Sequence, residues 1–400
     1  MATNGETGLS ETIRRLNETA NLDLTEWFKN QDWLGRSEKN VAALEDQLRD
    51  VWNLGRNVVL LWSQLDDSIQ ILAVPQYLIA SHDTHSDDEH QEFVRHLLTG
   101  DKQVSIDNLE QTSKRLGYPT INISLGRGAW RLPGILTNEI VKRFGTNYIE
   151  DQAVALFDIV GFSLFTPLEQ VAQLNSLSYS LNSAHAKMLT KERDISFARS
   201  TTGDGFYVWN RDNSVEANIN LYHFMHLALA DNAIARSKSS GNVTPELRAA
   251  FHVGSHYEFY QAEGLNPTSA YFIVGDVTIE LARMVDQTKP GQVLVGDFQA
   301  PMTNEHTGET QRVDAVQFIE LTQSTLSSLA GLELSGEPVD AIRCYLTGER
   351  TNDEFEVSAY TITDKHGLSR KAYNAKINIY SENSVPIFLG LQDSELDHHS

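Results

Sequence analysis

Two carboxylates of this 400-residue chain stand where a carboxylate can hold a metal ion rather than water. Asp158 closes the apolar run Ala153-Val-Ala-Leu-Phe157 and is followed by Ile159-Val160-Gly161-Phe162-Ser163. A buried strand that ends in Asp and then turns at Gly is placing a charge, although an aspartate at a strand end also serves as a solvated turn former. Asp204 lies in Gly203-Asp204-Gly205, the tip of a β-hairpin read over Phe197 to Trp209. Two isolated carboxylates at tight apolar turns suggest a shared divalent ion, because Mg²⁺ and Mn²⁺ commonly take one or two carboxylates and complete their shell with phosphate oxygens. Just downstream of Asp158, Thr166 as N-cap, Pro167 and Glu169 start a helix whose N-terminus can receive phosphate.

Those residues must be positioned by a sheet and the helices that cover it. From Ala153 to about Asp297 the periodicity reads strand, helix, hairpin, helix, strand, turn, helix, strand, an α+β pattern with helices on one face of the sheet. Val171, Leu174, Leu177 and Leu181 supply the buried stripe of the first helix. Before Glu150 the chain reads as mostly helical, with Leu44, Leu48, Val51 and Trp52 on one face of a helix that Gly55 ends or interrupts. A turn-rich passage around Pro119, Gly126, Gly128 and Pro133 leads into a short helical pattern from Thr137. After it, residues 356–380 read as two alternating strands joined by Asp364-Lys365-His366-Gly367. The expected division is a helical N-terminal region (1–148), a central domain (149–305) and a β-rich C-terminal domain (306–400).

Composition excludes several classes of partner. With 32 Lys+Arg against 54 Asp+Glu, the net charge of -22 argues against nucleic acid and against an anionic membrane surface, leaving small anions in local pockets. One cysteine, Cys344, forms no internal disulfide, the N-terminus lacks a basic and apolar leader, and the longest apolar run, Asn57 to Trp62, is far short of a membrane span. A soluble, cytoplasmic protein is the expectation. The His- and Asp-rich stretch Ser81 to His90 reads as a solvated loop, since no apolar residue holds its potential ligands in place. His223 and His226 have the spacing of two ligands on one helical face, yet no third ligand follows, so partly buried tips on an amphipathic helix are expected; His252 also reads as structural.

Five ordered blocks carry a resemblance. Phe157-Asp158-Ile159-Val160-Gly161-Phe162-Ser163, Thr202-Gly203-Asp204-Gly205, Leu247 to Gly254, Gly275-Asp276 with Ala282-Arg283-Met284, and Gly291 to Val295 resemble the catalytic domain of the class III nucleotide cyclases, a ferredoxin-like fold. The resemblance implies that Asp158, the carbonyl of Ile159 and Asp204 bind two divalent ions, Mn²⁺ or Mg²⁺. It implies that the N–H groups of Val160, Gly161, Phe162 and Ser163 cradle phosphate oxygens of a nucleoside triphosphate. Arg283 matches the arginine that neutralises charge on the α-phosphate, supplied by the other protomer of a homodimer with shared active sites.

The departures from the family pattern bear on the substrate. Ile279 stands where the family carries a ribose-orienting asparagine, with Thr278 the substitute if the helix register differs. Ser200, beside Arg199, replaces the base-selecting lysine or glutamate, and Tyr271, Phe272, Ile273 and Val274 occupy the place of the aspartate before Gly275. A smaller, more aromatic pocket suits a pyrimidine, with the donors of Ser200 or Arg199 meeting uracil carbonyls, although strand alternation lets only one of the two face the site. The turn Asp364 to Gly367 and the strand Tyr373-Asn-Ala-Lys376 are similar to the C-terminal (AGS-C-like) sensor domain of bacterial defence nucleotidyltransferases. Together the two resemblances imply the uridylate cyclases of Pycsar antiphage systems: UTP converted to cyclic UMP, which switches on a separate effector. A cytidylate or purine cyclase and a catalytically degenerate nucleotide-binding module are the alternatives.

Overall fold

A computed structural model describes residues 31–65, 68–79, 88–124, 134–191, 193, 195–212, 214–262, 269–303, 309–334, 336–351, 354–363, 367–381 and 385–396. They fall into two units, the first formed by Met1–Ile149 with Tyr257–Ile273 and the second by Glu150–His256 with Val274–Ser400. No helix among the described residues is long and apolar enough to cross a membrane.

The first unit carries the expected helices and, in addition, a sheet. Strands β1 (Asn57–Gln64), β2 (Ser68–Pro75) and β3 (Ile121–Ser124) pair antiparallel in the order β1-β2-β3. Helices α1 (Gln31–Trp52), α2 (Asp88–Thr99), α3 (Ile106–Leu116) and α4 (Gly134–Lys142) belong to the same unit. Leu44, Leu48 and Trp52 of α1 pack with Val59, Trp62, Ile69 and Ile71. Val58, Leu60, Leu61, Leu72 and Val74 pack with Leu97, Leu98 and Leu109 of α2 and α3. A strand buried on both faces reads as a continuous apolar run without alternation, which is why a helical reading of this region left the sheet unplaced. Of the His- and Asp-rich stretch, residues 81–87 lie outside the described residues, and α2 begins at Asp88.

The second unit opens with β4 (Thr146–Ile159), α5 (Pro167–Thr190), β5 (Phe197–Thr201), β6 (Gly205–Asn210), α6 (Val215–Lys238) and β7 (Leu247–Ala262). Its strands lie in the order β7-β4-β6-β5, the arrangement of a ferredoxin-like β-α-β-β-α-β unit, as the sequence implied. Strand β8 (Ser269–Val274), which belongs to the first unit as far as Ile273, pairs with β7, and in the second unit, after α7 (Asp276–Gln287), the strand β9 (Val293–Gly296) joins β7 in parallel. A hairpin of β10 (Gln299–Thr303) and β11 (Thr310–Asp314) and helix α8 (Ala315–Thr325) follow. The remainder is β-rich: β12 (Glu333–Leu334), β13 (Glu337–Leu346), β14 (Gly348–Thr351), β15 (Glu354–Val357), β16 (Ala359–Thr363), β17 (Ser369–Ser381) and β18 (Ile387–Leu389). Residues after 305 share the central sheet, since β17 runs antiparallel to β9 and also pairs with β13, β16 and β18. Strands β16 and β17 are the hairpin read from the sequence, with residues 364–366 of its turn outside the described residues.

Helices α5 and α6 cover one face. Leu177, Leu181, Ala184 and Met188 of α5 and Leu221, Phe224 and Leu227 of α6 join Ala153, Ala155, Phe157 and Val208 of the strands in one core. The expected stripe of α5 holds at Leu177 and Leu181, with Leu174 packed at its margin, but Val171 is 55% exposed. Its neighbours on that outward side, Leu164 and Leu168, are exposed too, so burial of α5 starts only after its first turn. On α6, His223 and His226 are wholly buried rather than at polar tips.

Candidate active site

Alternation along β4 sends Ala153, Ala155 and Phe157 toward the helices and Val154, Leu156 and Asp158 to the opposite face. Asp158 is there paired across the ladder with Gly205 of β6. A Cβ on Gly205 would stand 1.9 Å from the Phe157 carbonyl oxygen, so only glycine lets the hairpin close on β4. At the hairpin tip, Gly203 takes φ +102°, and the Asp204 carbonyl accepts from the Ile159 N–H at 3.0 Å. Two carboxylate residues far apart in sequence are thereby locked onto adjacent strand ends. Thr202 Oγ1 donates to Asp204 Oδ1 at 3.3 Å.

Arg248, near the start of β7, completes the charge arrangement. Its Nε donates to Asp158 Oδ2 at 2.6 Å and its Nη1 to the Thr288 carbonyl at 3.2 Å. Asp158 is buried, and burial pushes its carboxyl above the usual aspartate range; Asp204 and Asp286 push the same way, while the Arg248 guanidinium pulls it down. A desolvated carboxylate beside other carboxylates is a place where added positive charge is favourable. Arg248 was not among the expected site residues. Its signal was legible, because it is the only charged side chain in the apolar strand segment Leu247 to Val253.

The turn after β4 forms as expected around Gly161, at φ +65°, with a 3₁₀ turn over Phe162–Leu164. Ser163 is exposed and Phe162 half-buried. The Val160 N–H, however, donates to the Glu246 carbonyl at 2.9 Å, which commits that donor within the chain and leaves Gly161 to Ser163 as the candidate phosphate cradle. The helix start is the anticipated capping box: Thr166 Oγ1 accepts from the Glu169 N–H at 3.4 Å and Glu169 Oε2 accepts from the Thr166 N–H at 2.9 Å. That backbone bond lowers the Glu169 carboxyl below its ordinary range, helped by Asn242 and the Thr166 hydroxyl.

Arg199 and Ser200 fall on opposite faces of β5. Arg199 shares the helix-covered face, donating to Ser178 Oγ of α5 at 2.8 Å and lying 5.2 Å from the Phe206 ring centroid, so it is turned away from the Asp158 face. Ser200 pairs with Tyr207, which pairs with Leu156, so Ser200 shares the face of Asp158. Helix α7 lies over that face: Tyr207 Oη donates to the Thr278 carbonyl at 3.0 Å, and a Cβ on Gly254 would meet Val277 at 3.3 Å. Arg283 is half-buried on α7, and Ile279 is 43% exposed. Tyr271 and Phe272 belong to the first unit on β8, where Phe272 stacks on Phe259 with centroids 5.9 Å apart. One face of that ring is therefore occupied within its own unit rather than offered to a base.

Among the described residues no group of three or more His, Cys, Asp or Glu side chains surrounds a common point. His223 and His226 are core histidines, with burial driving both rings far toward the neutral form. The donors at the strand ends are all hard oxygens: Asp158, Asp204 and the Ile159 carbonyl that the cyclase resemblance adds. That set fits Mg²⁺ or Mn²⁺ completed by phosphate oxygens.

No family model matches the chain, and no curated protein matches it. Solved structures do. The guanylyl cyclase Cya2 is 14% identical, with 57% of this chain and 92% of that one covered at a TM-score of 0.30. The adenylyl cyclase CyaB from P. aeruginosa is 13% identical, with 60% and 97% covered at a TM-score of 0.30. The guanylate cyclase domain of RhGC from Catenaria anguillulae, in complex with GTP, is 16% identical, with 42% and 96% covered at a TM-score of 0.30.

Proposed function

We propose that this protein is a nucleotide cyclase, a phosphorus-oxygen lyase that converts UTP to 3′,5′-cyclic UMP and pyrophosphate as a second messenger in bacterial antiphage defence. The observation that carries the reading is the juxtaposition of Asp158 and Asp204 on adjacent strand ends beside Arg248, within the ordered cyclase-like blocks. In the reaction the ribose 3′-oxygen bonds to the α-phosphorus, the bond from that phosphorus to the bridging oxygen of the β-phosphate breaks, and the 3′-hydroxyl proton is lost. Asp158, Ile159 through its carbonyl, and Asp204 would hold two divalent ions, Mn²⁺ or Mg²⁺, whose chemistry is to acidify the hydroxyl and neutralise the triphosphate.

The chain's own groups take the remaining tasks. The N–H groups of Gly161, Phe162 and Ser163 receive phosphate oxygens, and Arg283 neutralises charge at the α-phosphate of the partner protomer's nucleotide in a homodimer. Ser200, on the Asp158 face, donates to a uracil carbonyl. Cyclic UMP then acts on a separate effector, and the C-terminal residues 306–400 take the sensor role in the cytoplasm.

A second reading, a nucleotide-binding module without turnover, is favoured by Ile279, an apolar residue 43% exposed on α7 where a hydrogen-bonding group orients ribose in the cyclases. The two readings separate in one experiment. The purified full chain is incubated with ATP, GTP, CTP and UTP together with Mn²⁺, and products are identified by mass spectrometry. Cyclic UMP that disappears in Asp158→Ala and Asp204→Ala supports the proposal. Cyclic CMP or a cyclic purine product overturns the choice of base, and nucleotide binding without product favours the binding module.

A further inference from the structure

Helix α7 carries Arg283, and the turn that follows it carries the Thr288 carbonyl on which Arg248 rests. Both are tied to one strand of the C-terminal segment. Arg370 of β17 donates its Nε to Glu280 Oε1, in the middle of α7, at 2.5 Å, with the two side chains only 19% and 27% exposed. Four residues along the same strand, Asn374 is fully buried and accepts on Oδ1 from Gln292 Nε2 at 3.1 Å.

The Asn374 amide is satisfied on its other side as well. Its Nδ2 donates to Thr347 Oγ1 and to the Leu391 carbonyl, each at 2.9 Å. Gln292 in turn accepts from the Lys289 N–H at 2.8 Å, which fixes the turn from Thr288 to Gln292. That turn is stitched to β7 on both sides of Arg248: Gly291 N–H donates to the Leu247 carbonyl at 2.9 Å and Ala249 N–H to the Gln292 carbonyl at 3.1 Å. The spans agree. Arg370 and Asn374 are on one face of the strand about 13 Å apart, and the helix from Glu280 to its end at Gln287 covers about 10 Å before the turn.

We propose that Arg370 and Asn374 are positioning residues: β17 grips α7 at Glu280 and its exit turn at Gln292, and so sets Arg248 beside Asp158 and holds Arg283 in place for the partner protomer's site. An apolar pair would hold the helix as firmly; hydrogen-bonded polar contacts additionally fix its register along the strand. The C-terminal segment is then a working part of the site's geometry rather than an appendage. This inference rests on the assignment of Asp158 and Arg283 to the reacting site, and its test separates the two.

Amide hydrogen exchange is measured on the full chain for wild type, Arg370→Met, Asn374→Leu and the charge exchange Glu280→Arg with Arg370→Glu, together with nucleotide turnover. In either single variant the amides of α7 are expected to exchange about tenfold faster while those of α5 and α6 keep wild-type rates. Turnover is expected to fall about tenfold in kcat with KM within about twofold, and the charge exchange restores both. Unchanged exchange in α7, or an equal rise in all three helices, overturns the inference whatever the turnover. A wild type without turnover counts against the cyclase reading alone, and the exchange rates still decide the grip of β17.

Discussion

Arg248 holds Asp158 through an Nε to Oδ2 hydrogen bond of 2.6 Å, and the carboxylate it holds is 7% exposed. Removing one member of such a pair leaves the other desolvated and unpaired. Because Arg248 itself keeps 26% of its side-chain exposure, water recovers part of the loss, and Arg248→Met is expected to cost about 2 kcal/mol rather than the larger figure for a sealed pair. Urea unfolding at pH 7 measures it. A loss below about 0.5 kcal/mol would mean that the pair is effectively solvated.

Gly205 permits the hairpin bearing Asp204 to lie against β4, since a side chain there would collide with the Phe157 carbonyl oxygen. Backbone cannot retreat as a flexible side chain can, so Gly205→Ala is expected to destabilise by about 3 kcal/mol and to abolish nucleotide turnover together with it. A variant that melts like wild type would show that β6 is not held this closely.

Much of this arrangement was legible in the sequence because it is local. Asp158 before Gly161, the tip Gly203 to Gly205, and the box of Thr166 and Glu169 are each written within a few residues, and each forms as read. The tail hairpin of β16 and β17 is local in the same sense. What escaped depends on distant partners. The Val160 N–H is spent on Glu246, Arg199 on Ser178, and Arg248 on Asp158, and no pattern within any one of those strands names its partner. The sheet β1-β2-β3 escaped for another reason: burial of β1 from Val58 to Ser63 and of most of β2 erases the alternation that identifies a strand, and β3 is only four residues long.

His223 and His226 lie at the centre of the core, and among the described residues neither ring nitrogen of His226 has a hydrogen-bond partner. Burial lowers His223 to about 4 and His226 well below its ordinary value. Both folded-state values are depressed, so their stabilising effect is complete above the unfolded value near 6.5 and is lost as pH falls toward about 4. Over that window each histidine removes up to about 1.4 kcal/mol per pH unit. His226→Phe is therefore expected to gain on wild type steadily as pH drops from 6.5, in unfolding curves recorded at half-unit steps. Parallel stability curves for the two proteins would refute the buried, neutral state of His226.

Asp158 combines burial with the company of Asp204 and Asp286, so a divalent ion that binds there should stabilise the folded chain by mass action. At a hundredfold excess over its dissociation constant the gain is about 2.7 kcal/mol. Mn²⁺ is accordingly expected to raise the melting temperature of wild type and to leave Asp158→Asn and Asp204→Asn unmoved, while Asp286→Asn, which removes a neighbouring charge on α7 but no ligand, keeps a reduced shift. The measurement needs no substrate, and so it tests the metal assignment apart from the chemistry. An equal shift in Asp158→Asn would place the ion elsewhere on this strongly acidic surface, and the net charge of -22 makes that control necessary.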